Sequence, residues 1–283
     1  MRVSSMVVAR HPKGAVAAVV ASLFLLLAAC GSAPRNSAAG SSHGPAQVVL
    51  FGDSLAYQAA PYFDWLVQAN GGATVKNFVF GGTAACDWLP TMRTVARTRP
   101  QIAVLEFSGN TFTSCMQGCP AESPSAIERY CTDITTAITL FLHVGTRVFL
   151  AGTPITEAKW LAHDPHWNDL NRAFAQLAAK YPSRVTYIDA GRSVEGPGQS
   201  FVSTLPCLSF EPCDGPTVDG VETDVVRSPD GVHFCTGGPG NPLGLSGPCL
   251  GYSSGAYRFA SAMAGPVIRV IDRLSPTTRP ADS

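Results

Sequence analysis

The sequence predicts an α/β fold, a three-layer sandwich around a five-stranded parallel sheet, and three observations carry that reading. Short β-rich apolar runs alternate with helix-like stretches, the pattern of strands joined by helical crossovers. The runs are continuously apolar rather than alternating, as strands covered on both faces are. A length of 283 residues, 46% of them hydrophobic, supports one core, in a domain of roughly 230 residues with flanking segments.

Gln47–Phe51 is the first strand, and it stops at Gly52-Asp53-Ser54, where a helix over Leu55–Ala69 follows at once. Val75–Phe80 is the second strand; it ends at Gly81-Gly82, before a helix over Thr91–Arg97. Ile102–Phe107 and a helix over Ser123–His143 come next, with His143 placed to complement the helix dipole. Thr146–Ala151 is the fourth strand. The helix over Pro165–Lys180 is started by Asp164 as N-cap and Pro165 at its first position. Val185–Ile188 is the fifth strand. Arg192 to Pro248 is irregular and rich in Gly, Pro, Ser and Asp; a stretch that long is functional or stapled by disulfides. A last helix covers Ser253–Leu274. No internal repeat is visible.

Both ends read as flanking segments around a domain at 47–275. Arg2, Arg10 and Lys13 precede the apolar run Ala15–Ala29. About fifteen residues fall short of the roughly twenty that span a membrane and suit a signal peptide, here residues 1–29. Leu27-Ala28-Ala29-Cys30-Gly31 resembles the bacterial lipobox, which implies that Cys30 carries lipid and becomes the mature N-terminus. Plain cleavage near Ala29 is the alternative. Residues 30–46 form a Ser/Gly/Ala/Pro tether, and 276–283 a frayed tail. The expected location is the extracytoplasmic side of a membrane, held by a lipid anchor.

Twenty basic and twenty acidic residues cancel, and no basic stripe appears, which argues against a nucleic-acid partner. Setting Cys30 aside leaves Cys86, Cys115, Cys119, Cys131, Cys207, Cys213, Cys235 and Cys249. An even number in an exported domain points to disulfides, although eight cysteines allow about a hundred pairings. Zinc would need paired C-x-x-C motifs, and the sequence has none. His163 and His166 read as a solvated helix start rather than a metal pair.

Ser54 raises the question of function. A hydroxyl between a buried strand and a helix suits a nucleophile or anion site, and equally an N-cap. Three further segments end at the same edge of the sheet. They are Gly81-Gly82, Ser108-Gly109-Asn110-Thr111 and Asp230-Gly231-Val232-His233. Together with Gly52-Asp53-Ser54-Leu55, these four blocks resemble, in order and spacing, those of the SGNH or GDSL esterase/lipase superfamily.

That resemblance implies a flavodoxin-like strand order 2-1-3-4-5 and a serine hydrolase of carboxylic esters with short acyl groups. Ser54 would be the nucleophile, His233 the base and Asp230 its orienting acid. The backbone N–H groups of Ser54 and Gly82 and the Asn110 amide would form the oxyanion hole. Gly81 is the alternative to Gly82, and Asn110 also suits a plain turn. Ser54 and His233 are expected to be exposed in a crevice, and Asp53 to organise the turn. Arg227 and Asp87-Trp88 would line the pocket or simply pack. The asparagine block departs from the usual G-x-N-D, which affects the subfamily more than the chemistry.

No cofactor and no metal are expected, the substrate is a small or envelope ester, and the protein acts as a monomer. Acyl transfer to an envelope carbohydrate through the same site is the alternative activity; a decayed carbohydrate- or lipid-binding lipoprotein is a third reading. In the implied strand order, Cys86–Cys115 would tie the Gly82 and Asn110 loops together. Cys119–Cys131, Cys207–Cys213 and Cys235–Cys249 would complete the set; Cys115–Cys119 with Cys86–Cys131 is the rival.

Overall fold

The structure, a computed structural model, describes residues 44–119, 123–157, 169–235 and 249–274. The signal segment, Cys30, most of the tether, Asp164-Pro165, the His163/His166 pair and the tail lie outside the described residues.

Five parallel strands form the sheet: β1 (Gln47–Gly52), β2 (Thr74–Val79), β3 (Ile102–Glu106), β4 (Arg147–Ala151) and β5 (Val185–Ile188). Their order is β2-β1-β3-β4-β5, the order that the resemblance implies. Register aligns the strand ends: Gly52 pairs with both Val79 and Glu106, and Glu106 pairs with Ala151. One row of strand ends thus forms the floor on which four loops stand.

The strands alternate between two apolar layers, because successive side chains leave opposite faces. Val48 and Leu50 join Phe63, Phe234 and Phe259 on the side of α1 (Ser54–Gly71) and the last helix. Val49 and Phe51 join Met92, Tyr130, Phe141 and Phe174 on the other side. Phe51 is fully buried and stacks on Phe78 at 4.7 Å; truncating such a ring costs about 3–5 kcal/mol. Continuous burial holds for β1, β3 and β4 but not for the edges. Half of β2 is exposed, with Lys76 and Asn77 among its outward residues, which keeps its open edge from pairing with another chain.

The second helix departs from expectation. α2 runs Ala85–Ala96 and begins well before Thr91, because Asp87 reaches back to the Ala84 N–H (2.8 Å) and starts it early. Pro90 forgoes only one bond in the second turn. α3 (Pro124–His143) starts where expected, with Ser123 accepting from the Ala126 N–H at 3.2 Å. α4 is described over Asp169–Ala179, and α5 over Ser254–Leu274.

The irregular stretch hides a short antiparallel ribbon, β6 (Thr204–Pro206) with β7 (Thr223–Val225). It is pinned to α5 by Glu211, a buried carboxylate that takes Arg258 (2.6 Å), Ser254 (2.6 Å) and Tyr252 (3.0 Å). Burial alone would raise its pKa; these donors hold it below the ordinary value.

Disulfides join Cys86 to Cys115, Cys207 to Cys213 and Cys235 to Cys249. The expected Cys119–Cys131 bond is absent, since both thiols are free. Helix geometry supplies the reason. Cys119 lies near Arg129, whereas Cys131 borders a groove with Ala173 and Lys180 of the neighbouring element. Positions 129 and 131 point roughly 200° apart around α3. Peptide mapping of the unreduced protein should recover the three linked pairs and alkylate Cys119 and Cys131 as thiols on unfolding. A Cys119–Cys131 peptide would refute the helix-face argument.

Candidate active site

The turn after β1 is shaped by close packing. A Cβ at Gly52 would stand 2.4 Å from the Ala56 Cβ and 2.6 Å from the Glu106 carbonyl oxygen, so only glycine fits there. Asp53 is the N-cap of α1: its Oδ1 accepts the Leu55 N–H at 3.1 Å. That assignment answers the question raised by Ser54, because the capping role is already filled. Ser54 opens the helix with 8% of its surface exposed.

Asp53 also reaches sideways. Its Oδ2 accepts the Ser108 N–H (2.6 Å), the Ser108 hydroxyl (2.7 Å) and the Asn110 Nδ2 amide (2.9 Å). Burial raises its pKa, while hydrogen bonds from Ser108 and Leu55 and the nearby His233 oppose that rise. The Asn110 amide also donates to the Thr83 carbonyl at 3.3 Å, and the Tyr130 hydroxyl holds the Asn110 carbonyl at 2.8 Å. The Thr83 hydroxyl donates to the Phe80 carbonyl (2.7 Å) and accepts the Trp88 indole N–H (3.0 Å). Loops after β1, β2 and β3 are therefore one hydrogen-bonded unit. Asp87 and Trp88 brace it: Asp87 starts α2, and Trp88 packs edge-on against Phe51.

Gly82 has φ +74°, and nothing lies within 4 Å of where its Cβ would be. The demand on glycine there is conformational, with open space above the backbone. Gly109, at φ +99°, gives the β3 loop its bend.

The fourth segment arrives from the irregular stretch. The Gly231 N–H donates to the Ser228 carbonyl (2.9 Å), and the Ser228 N–H to the His233 carbonyl (2.7 Å), closing a compact loop. Asp230 Oδ1 accepts the N–H groups of Val232 (2.8 Å) and His233 (3.0 Å), and its Oδ2 lies 2.7 Å from His233 Nδ1. Burial pushes the Asp230 pKa up, but the bonds from the His233 ring and the two amides prevail and hold it at about 2. An ionised carboxylate only accepts, so Nδ1 is the ring nitrogen that carries a proton and Nε2 is the one turned away from Asp230.

Two side chains fix where this loop sits. Gln58 Oε1, one turn along α1 from Ser54, accepts the N–H groups of Phe234 (2.8 Å) and Cys235 (3.3 Å). Arg227 is buried and donates to the carbonyls of Val232 (3.1 Å) and Ile155 (3.0 Å), with Phe234 under its guanidinium. Desolvation lowers its pKa to about 10, against Glu195 and Asp230, which favour the charge. Arg227 is thus a strut within the loop rather than part of a pocket wall. The His233 side chain is 14% exposed. With Ser54 equally recessed, the expectation of openly exposed side chains is corrected: the residues stand in a recess.

Four residues missed by sequence reasoning support this arrangement: Gln58, Thr83, Glu106 and Tyr130. Glu106 left a signal, a carboxyl closing an otherwise apolar strand, IAVLE.

Residues 47–240 match a family described as "Protein of unknown function (DUF459)". The chain belongs to that family. Among solved structures, it is similar to a proposed acylhydrolase from Bacteroides fragilis, at 16% identity over 81% of this chain and 87% of that one, TM-score 0.49. It is also similar to TesA, at 14% identity over 80% of this chain and 99% of that one, TM-score 0.46. A third is Est24, a carbohydrate acetylesterase from Sinorhizobium meliloti, at 13% identity over the same shares, TM-score 0.46. No curated protein matches the chain.

Acid should probe the Asp230 contact. Its pKa is held at about 2 in the folded protein, below roughly 3.9 in an unfolded chain. The stabilisation is present above the unfolded value and is lost as pH falls through the folded one. Urea unfolding from pH 6 to pH 2 should show wild type more stable than Asp230→Asn at pH 6, with the gap closing between about pH 4 and pH 2. A gap independent of pH would refute a hydrogen-bonded, ionised Asp230.

Proposed function

We propose that this DUF459 protein is a serine hydrolase of carboxylic esters, of the SGNH type, with Ser54 as nucleophile, His233 as base and Asp230 as its orienting acid. One observation carries the reading: an Asp230–His233 couple, with Nδ1 on the carboxylate, is fastened by Gln58 one turn from a serine that caps nothing.

His233 Nε2 takes the Ser54 proton as Oγ bonds to the ester carbonyl carbon. The tetrahedral oxyanion is met by the backbone N–H groups of Ser54 and Gly82 and by the Asn110 amide. The Asn110 contact to the Thr83 carbonyl, at 3.3 Å, is the longer of its two and is the one that yields. His233 returns the proton to the leaving alkoxide as the C–O bond breaks. Water, deprotonated by the same Nε2, then releases the acid and restores Ser54.

A recess lined by Ser108, Gly109, Ile127, Tyr130, Ile155 and Leu170, joined to the site through Ser108 on Asp53, is the place we assign to a short acyl group. Its cavity volume of about 50 Å³ has room for only a few water-sized spheres.

Wild-type protein should be labelled at Ser54 by a fluorophosphonate and should cleave short-chain p-nitrophenyl esters. Ser54→Ala and His233→Ala should each lower kcat by about 10⁴–10⁶-fold, and the double variant by little more. Undiminished labelling or turnover in Ser54→Ala would sink the mechanism. Asn110→Ala should lower kcat by about 10²–10³-fold with little change in KM; a rise in KM alone would remove Asn110 from the oxyanion hole.

A further inference from the structure

We propose that Glu106 is a positioning residue for Ser54: from the end of β3 its carboxyl fastens the first turn of α1 and forms, with Asp53, a buried two-carboxyl mount beneath the nucleophile. The inference rests on the hydrolase reading of the site.

Glu106 is fully buried, and its Oε2 accepts the Ala56 N–H at 3.0 Å. Asp53 takes the Leu55 N–H. Two adjacent first-turn amides are thus held by carboxyls from two different strand ends. Among the described residues the Ser54 N–H has no acceptor, so it is the donor left to face a substrate oxygen. The preceding turn is fitted around Glu106 as well. A Cβ at Gly52 would meet the Glu106 carbonyl oxygen at 2.6 Å and its Oε2 at 3.3 Å.

A carboxyl at this place is costly if it only fills space. The other β3 residues are apolar and buried, and Glu106 Oε1 has no hydrogen-bond partner among the described residues. A leucine would avoid that loss. Burial first, and then the Asp53 charge, push the Glu106 pKa well above the carboxylate range. Of the two, Glu106 is the one pressed toward its neutral form, while Asp53, with donors from Leu55, Ser108 and Asn110, has the partners that favour a negative charge. One anion sits at the N-terminus of α1, where the helix dipole favours it. A second ionised carboxylate there would repel Asp53 and loosen its hold on Asn110.

Three variants separate positioning from filling: Glu106→Gln, Glu106→Leu and Glu106→Asp. Each is to be assayed for kcat and KM on a p-nitrophenyl ester, for the rate of fluorophosphonate labelling and for thermal unfolding. Glu106→Gln keeps a neutral head and an oxygen for the Ala56 N–H, and should stay within about threefold of wild type in kcat. Glu106→Leu, which fills the space without an acceptor, and Glu106→Asp, which is too short, should lose about 10–100-fold in kcat and in labelling rate with KM nearly unchanged, the scale set by small misplacement of a reacting group.

Wild-type kcat in Glu106→Leu would overturn the proposal. If that variant does not fold, the Gln and Asp variants decide alone, and equal activity in the two overturns it. A Gln variant as impaired as the Asp variant also overturns it, since the acidic proton and not the accepted bond would then matter. Absent labelling and turnover in wild type would sink the hydrolase reading and this one with it. Normal wild-type labelling with indifferent Glu106 variants would sink this one only.

Discussion

The site depends on one buried carboxylate. Taking Asp53 out of water costs several kcal/mol, and the fold offsets that cost by surrounding it with donors from two loops. Leu55 at the start of α1 and Ser108 and Asn110 after β3 all converge on it. Asn110 extends the connection to Thr83 after β2. Removing any one donor would leave part of the charge uncompensated, so the three loops hold one another in register. Packing brings the strand ends level; the Asp53 charge decides how the loops above them are turned.

The Asp230–His233 segment is held by different means. It belongs to no strand of the main sheet, and its loop makes its own hydrogen bonds before it meets the rest. Its fasteners to the domain include Gln58 from α1, Arg227 bridging to Ile155, the Glu157 N–H on the Gly231 carbonyl and the Cys235–Cys249 disulfide. With a sequence separation of 14, that bond limits the unfolded chain by about 3 kcal/mol in the loop-entropy view. A loop without sheet partners needs such reinforcement if a histidine is to keep a fixed orientation. Regular structure thus mounts the serine side, and cross-links mount the histidine side.

This division explains what the sequence made legible. Strand–helix alternation and short apolar runs gave a parallel sheet between two helical layers; the order of its strands came only with the resemblance carried by the four blocks. The edge character of β2 was visible only as Lys76 and Asn77 within the run, and the pairing of β6 with β7 was not visible at all. Three-residue strands carry too little periodicity to be read. At the site, the four blocks marked the candidate residues, but their supports were obscure. Gln58 is an unremarkable amide on a helix until the chain folds a distant backbone onto it. Arg227 read as lining the pocket or packing; it packs, on two carbonyls that no spacing rule brings together. Cys119 and Cys131 read as a pair completing the set, yet a helix points one of them away.

The same reasoning accounts for the position of the Cys86–Cys115 bond. Cys86 sits in the first turn of α2, directly behind the Gly82 loop, and Cys115 follows the Asn110 loop. The two loops already share the Asn110–Thr83 contact, but at 3.3 Å that bond is the longer of the two the Asn110 amide makes and the one the proposed chemistry disturbs. A covalent link outside the reacting region keeps the loops together while that contact yields. The rival Cys115–Cys119 bridge would have closed a small turn and left this junction to hydrogen bonds alone. Rigidity is thereby supplied where the site can tolerate it, at the backs of the loops, and the donors at the front remain free to turn toward a developing charge.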